Sequence, residues 1–540
     1  MREFFSERFN TWRSSAGIEK LFVTGWCGSI ATTLIALTVL FFAVGFWWPY
    51  WRSGDMDMWM VYEGFLLNDK LPQEYFDHPA YLTILLLTRW FGALHAVGLL
   101  PSHVLSTLPP VADNAASAVA WMKATQAARL LSLFLGLSFV TAFAYLVRAL
   151  VRDWRVAALA AFALAFSGGF MMEMRIVRTE LIAAGCAYTA LLIVLITAQR
   201  ITGAWRPILL GAAALLCTLA MLNKVHILFL VLAIPPIAIA FGRRVETPSC
   251  WQPGGRALAM VCALVIMAAV ATALAWPIAV AGLFDAATVG ERTRLFGTGF
   301  PVYQCLIGLW VFVCVIAYAV LFRVGALETV AALAAIVAGT AIGLWALALA
   351  PHVQNAVAVF NPLEKMLGFA VGIERDAGQG AIAGGSAIRT LTDGVGLLLA
   401  RETFFLSSSP RPTIFLHWVL FVALLFAWRQ GERKTVLQIA LLFAVAFAVD
   451  LVGTVRGLKL EYFIITDPLI IIAAAWLLMK VPALKSHRWT FPVVLSLLVA
   501  TVAVGLAEPI KHSFKRDMPL DFCGPHFHYT PRIERFSYCP

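Results

Sequence analysis

Ionisable residues are scarce in this chain, and several of them gather in short clusters beside apolar runs. The stretch from Trp51 to Trp90 holds six carboxylates: Asp55, Asp57, Glu63, Asp69, Glu74 and Asp77. Its first pair stands as Gly54-Asp55-Met56-Asp57. Three more clusters follow at long intervals. Glu173, Arg175, Arg178 and Glu180 lie in MMEMRIVRTE, Lys224 and His226 in LNKVH, and Arg456, Lys459, Glu461 and Tyr462 in RGLKLEYFIITDP. Charges beside a bilayer are costly to hold and mark a site or a pathway.

Acids next to several cations at an apolar boundary suit glycosyl transfer from a polyprenyl-phosphate sugar. The leaving group is a phosphate, stable as an anion, so it needs no proton. It does need Arg or Lys to stabilise the charge that develops on it. The acceptor hydroxyl needs a carboxylate base on the opposite face of the sugar. That is the inverting geometry, with cations in place of the general acid. The lipid tail needs an apolar groove between helices.

Plainer roles compete at each position. Asp77, ahead of His78-Pro79, suits a helix cap with proline near the first turn. Asp55 and Asp57 could be solvated loop acids, but their place between a tryptophan belt and an apolar helix favours catalysis. The same pair could bind a divalent cation, although two carboxylates are too few to specify a metal site. Arg178 and Glu180 could form an ordinary interfacial ion pair, and Arg456 and Lys459 could anchor headgroups. Asp450 suits a buried hydrogen-bonded acid, and His95 and His417 suit structural roles at an interface. No phosphate-cradling glycine loop, nucleophile elbow or zinc pattern is present.

These residues resemble the GT-C glycosyltransferase superfamily, in the branch of protein O-mannosyltransferases and aminoarabinose transferases of lipid A. Asp-x-Asp-Met-Trp, then Leu71-Pro72, then Tyr75-Phe76-Asp77-His78-Pro79-Ala80-Tyr81 resembles that branch's first external loop. Arg178-Thr179-Glu180-Leu181, Asn223-Lys224, and Lys459-Leu460-Glu461-Tyr462-Phe463 with Pro468 resemble three later motifs in the expected order. The branch usually carries Asp-Glu where this chain has Asp55-Met56-Asp57, so either Asp could be the base. The resemblance implies Asp55 and Asp57 as catalytic acids, and Lys224, Arg178, Arg456 and Lys459 at the donor phosphate. Glu180, Tyr462, His78 and Glu461 would contact substrate. It implies an acceptor that is lipid, glycan or protein, and a place in a bacterial inner membrane. The alternatives are a transporter of lipid-linked saccharides, which would more often show repeats and broken helices with polar groups at the midplane, and a polysaccharide polymerase or ligase.

The elements that must position these residues are membrane helices. Hydrophobic residues make up 61% of the 540, charged residues 13%, and the mean hydropathy is +0.83. No soluble core could hide so much apolar surface. Many runs are apolar over about 20 residues, enough to cross roughly 30 Å of hydrocarbon as a helix. The expected fold is therefore an all-α polytopic membrane protein. Leu21 to Trp48, too long for a cleaved leader, reads as a retained first span.

Residues 81–100, interrupted by Arg89 and His95, read as an interfacial helix in the first external loop. Further spans are expected near 126–147, 156–172, 180–198, 207–223, 226–241, 257–283, 305–322, 329–350, 412–428, 436–455, 463–479 and 491–507, about 13 in all. With the N-terminus inside and the C-terminus outside, the inner loops hold roughly 19 basic against 7 acidic residues, and the outer segments roughly 22 against 23. The net charge of +11 then reflects cytoplasmic loops and implies no nucleic-acid partner. Residues 1–507 form the membrane domain. Its external loops 52–124 and 351–411 make the active face, the second glycine-rich and suited to a lid. Residues 508–540 form a short external tail. Its Cys523 and Cys539 are expected to form a disulfide in an oxidising compartment. The other seven cysteines fall in or beside spans or the inner loops, as small apolar residues.

Overall fold

A computed structural model gives the three-dimensional structure. It describes residues 16–53, 57–74, 80–201, 203–244, 249–251, 254–284, 300–349, 387–403, 411, 413–454, 460–513 and 530–533. Among the described residues every regular element is a helix. In order these are α1 (Ala16–Val44), α2 (Trp59–Asn68), α3 (Tyr81–Ala96), α4 (Asn114–Val151), α5 (Trp154–Ala165) and α6 (Gly168–Arg175). Then follow α7 (Glu180–Arg200), α8 (Trp205–Asn223), α9 (Leu228–Phe241), α10 (Gly255–Phe284), α11 (Phe300–Phe322) and α12 (Ala326–Trp345). The last six are α13 (Ala387–Thr403), α14 (Ile414–Arg429), α15 (Arg433–Gly453), α16 (Asp467–Lys480), α17 (Pro482–Ser486) and α18 (Thr490–Ser513). Short 3-10 turns at Val225–Ile227 and Leu460–Ile465 lead into α9 and α16.

Nine of the described helices are long and apolar enough to cross a membrane. The chain is an all-α multi-pass membrane protein. The span expected over 156–172 is instead the pair α5 and α6, bent by 56°. Those expected over 226–241, 412–428 and 491–507 fall on shorter apolar helices, Val225–Phe241, Ile414–Arg429 and Thr490–Ala503. Residues 81–96 form one helix of 16 residues that packs on α2, α4 and α8.

Two spans are central. Burial covers 72% of the apolar window in α7 and 78% of that in Leu460–Lys480, against 6% in Cys305–Phe322. The two central spans meet where the Tyr188 hydroxyl donates to the Ile465 carbonyl. Small residues let the backbones approach. A Cβ on Gly339 of α12 would collide with the Gly211 carbonyl of α8. A Cβ on Gly169 of α6 would stand 2.7 Å from the Ile464 nitrogen. Gly169 thus allows α6 to lie on the 460–465 turn, and Ser167 caps α6 by accepting the Phe170 N–H. The bend between α5 and α6 aims Glu173 and the segment after it at that turn.

Pro235 and Pro236 sit inside α9. Pro236 has no N–H to offer the Leu232 carbonyl one turn back. Trp310 of α11 supplies the donor instead, at 2.9 Å.

The segment that follows α1 has its own core. Phe65 meets Phe91 edge-on at 5.1 Å and stacks on Trp121 at 6.1 Å. Residues 530–533 close over it. The Arg532 side chain pairs with Glu74, and its backbone N–H donates to the Tyr62 hydroxyl at 3.4 Å.

Candidate functional site

The site is built at one end of the helical bundle, from four connections that the sequence keeps far apart. At its centre is Arg178, between α6 and α7. Its guanidinium lies 3.2 Å from Glu173, 3.5 Å from Glu180 and 3.3 Å from Glu461. Lys224, in the turn between α8 and α9, reaches the other oxygen of Glu180 at 2.7 Å. All five side chains are buried. Three carboxyl groups and two cations are thus held in a low-dielectric setting, where a charge is tolerated only when it is paired. His226 stacks on Tyr462 at 6.0 Å, joining the Lys224 turn to the 460–465 turn.

Asn223 fixes the geometry around Lys224. Its Oδ1 accepts the Thr83 backbone N–H at 2.9 Å and the Thr83 hydroxyl at 3.1 Å. Its amide donates to the Thr179 carbonyl, and its own carbonyl accepts the Ala80 N–H at 3.1 Å. Asn223 therefore caps α3 from another helix. Ala80 occupies the N-cap position with φ 50° and offers no side-chain cap. The cap expected of Asp77 is accordingly not at that position, and Asp77 itself lies outside the described residues.

Asp57 stands beside this cluster. Its Oδ1 accepts the Val177 N–H at 2.6 Å, one residue before Arg178. Its Oδ2 accepts from Nε of Arg129, in α4, at 3.1 Å and also from Nη2. The remaining Arg129 donors go to the carbonyls of Phe46, Trp48 and Pro49, where α1 ends. Both Asp57 and Arg129 are fully buried.

Of the acids and cations expected at the site, Arg178, Glu180, Lys224, Glu461 and Tyr462 come together with Glu173. Asp57 is adjacent. Asp55, His78, Arg456 and Lys459 lie outside the described residues, as do Cys523 and Cys539. Arg175 is elsewhere, its guanidinium over the Trp48 ring at 5.2 Å. A divalent cation shared by Asp55 and Asp57 would compete with Arg129 for the Asp57 carboxylate. Among the described residues no group of three His, Cys, Asp or Glu is arranged to hold a metal ion.

Sequence reading missed Arg129 and a second buried cluster. Arg411 lies among Glu402, Asp450 and Asp467, with hydrogen bonds to Thr413 and Thr466. Asp450 is a buried hydrogen-bonded acid, as expected, accepting from Thr466 at 2.8 Å. His417 pairs with Glu402 through Nδ1. Phe463 covers the Arg411 guanidinium at 4.9 Å. The cluster docks α13 beside the 460–465 turn. Sequence held a signal for Arg129, since an arginine in an apolar run is costly unless it has a partner.

An apolar cavity of about 340 Å³ runs between α7, α8, α9, α11 and α12. One end is lined by Met221 and Leu344, the other by Arg206, Tyr318 and Glu328. Met221 is three residues from Lys224 in sequence, and no member of the charged cluster lines the cavity.

Comparison of the chain with protein-family models, with curated proteins and with solved structures finds no match.

Proposed function

We propose that this chain is an integral-membrane glycosyltransferase, moving a sugar from a polyprenyl-phosphate donor to an acceptor at the external face. One observation carries the reading. Two buried cations, Arg178 and Lys224, are gathered with three carboxyl groups, and an apolar cavity between helices is lined as far as Met221, three residues before Lys224 in sequence. A lipid phosphate has matching halves, an anion and a hydrocarbon chain. The resemblance of four short motifs to the GT-C superfamily points the same way.

In this reading the tail enters the apolar cavity and the phosphate exchanges with a carboxylate at Arg178 and Lys224. Arg456 and Lys459 contribute further positive charge. A carboxylate of the Asp55/Asp57 pair takes the proton of the acceptor hydroxyl as its oxygen bonds to the anomeric carbon. The carbon–phosphate-oxygen bond breaks on the opposite side, and the polyprenyl phosphate leaves as an anion. The configuration inverts. Glu180, Glu461, Tyr462 and His78 line the sugar's side of the site. The chain crosses the membrane about 13 times, from an inner N-terminus to an outer C-terminus, in a bacterial inner membrane.

The test uses purified full-length protein with a panel of polyprenyl-phosphate sugars. Release of polyprenyl phosphate and a glycosylated acceptor are expected, with both lost in Asp55→Asn when Asp57→Asn retains turnover. A transporter would move the lipid-linked sugar with its linkage intact. That outcome, or no release from any donor, would reject the reading.

A further inference from the structure

Four of the six first-loop acids are committed to holding the loop together. Glu63 accepts from Trp59 Nε1 at 3.2 Å and from the Glu74 N–H at 3.3 Å. Asp69 accepts from the Ser106 N–H at 3.1 Å and its hydroxyl at 2.9 Å. Glu74 binds Tyr62 and Arg532. Asp57, fully buried like Glu63, has one oxygen on Val177 N–H and the other on Arg129.

From this arrangement, and resting on the transferase reading above, we propose that Asp57 and Arg129 are positioning residues. Together they form a strut that sets Arg178 against the first loop, and neither touches substrate. A general base must present an oxygen to the acceptor hydroxyl at hydrogen-bond distance. Asp57 has no exposed surface, and its oxygens already receive a guanidinium and a backbone N–H. Arg129 extends the strut. It gathers the carbonyls of Phe46, Trp48 and Pro49 at the end of α1, so three segments meet at one guanidinium and Asp57 ties in a fourth. These are the end of α1, the first loop, α4 and the connection after α6. Among the described residues, the nearby charged groups Arg175 and Arg178 meet Trp48 and the three glutamates respectively. Shifting Val177 would move Arg178, one residue on, relative to Glu173, Glu180 and Glu461. Misplacement of a binding group by about 1 Å can cost on the order of 100-fold in rate.

The experiment compares Asp57→Asn and Arg129→Lys with wild type, using purified full-length protein and a polyprenyl-phosphate sugar across pH. A strut predicts a raised KM for the donor and turnover lowered about 10- to 100-fold. It also predicts that the acid limb of the kcat–pH profile stays in place, because the base is another group. Loss of the acid limb in Asp57→Asn would overturn the proposal. A second measurement does not need activity. In thermal unfolding of Asp57→Asn, Arg129→Gln and the double variant, a strut predicts that the double shift is no larger than the worse single shift. Additive shifts would overturn it. Should wild type transfer no sugar, the proposed function falls, and the thermal cycle alone still decides the strut. If Asp57→Asn does not fold, Arg129→Lys carries the kinetic readouts.

Discussion

The Oδ1 of Asn223 accepts the backbone N–H of Thr83 at 2.9 Å, across 140 residues of sequence. The last residue of α8 thus caps the first turn of α3, and the residue after it is Lys224. Asn223→Ala would leave the Thr83 N–H and hydroxyl and the Thr179 carbonyl without this partner. The expected loss is about 2 kcal/mol of stability, read from thermal unfolding in detergent. Asn223→Asp keeps the acceptor for Thr83 but sets an oxygen against the Thr179 carbonyl, so it should fall between. Wild-type stability in the alanine variant would reject the capping role.

Glu402 responds to acid in a defined direction. Burial would raise its pKa, but Arg411 and His417 outweigh burial and hold it down at about 2, against an ordinary 4.5. A carboxyl depressed by folding stabilises above the unfolded pKa, and that contribution is lost as pH falls toward the folded one. The melting-temperature gap between wild type and Glu402→Gln should therefore be full near pH 5 and shrink toward pH 2. A gap constant over that window would separate Glu402 from Arg411 in energy.

Arg206 and Glu328 form a buried pair at 3.1 Å at the far end of the cavity, with the Tyr318 hydroxyl 2.7 Å from the same guanidinium. Removing one member strands a charge. Arg206→Met should cost about 3–5 kcal/mol, and adding Glu328→Leu should recover most of it. Denaturant or thermal unfolding of the two variants is the check. Equal losses in the single and double variants would show that the pair is not coupled.

Cys523 and Cys539 are expected to be joined. The seven described cysteines are free thiols, in or beside the apolar helices or the connections between them. A bridge closing about 15 residues would contribute roughly 3 kcal/mol in the chain-entropy model. Alkylation without reductant should label neither tail cysteine, and with reductant both. Labelling of both without reductant would overturn the bridge and reopen the sidedness of the tail.

Much of the site was legible because charge stands out against hydrocarbon. Arg178, Glu180, Lys224 and Glu461 were marked by type alone, and the structure brings them together. Arg129 was not, since its partner Asp57 is 72 residues away and no local pattern joins them. Asn223 was named only as the neighbour of Lys224. An amide's role depends on which backbone arrives beside it, and α3 arrives from the first loop. The expected span over 156–172 failed as a straight helix because Ser167 takes an extended backbone and caps α6, a local break that Ser167 and the two glycines after it already carried. Gly169 then allows the close approach to Ile464.

The pairing of Arg532 with Glu74 constrains how often the chain traverses the bilayer. Both residues must lie on one face, so the number of crossings between the first loop and residue 532 is even. Gly25–Val44 precedes the loop, which leaves eight of the nine span-length helices after it. Counted over the described residues, if the bent pair of α5 and α6 crosses as a ninth, an odd number of the three shorter apolar helices must cross with it. The all-crossing arrangement, twelve after the loop, obeys this rule. Converting any one crossing into a surface helix would carry Arg532 to the opposite face and away from Glu74.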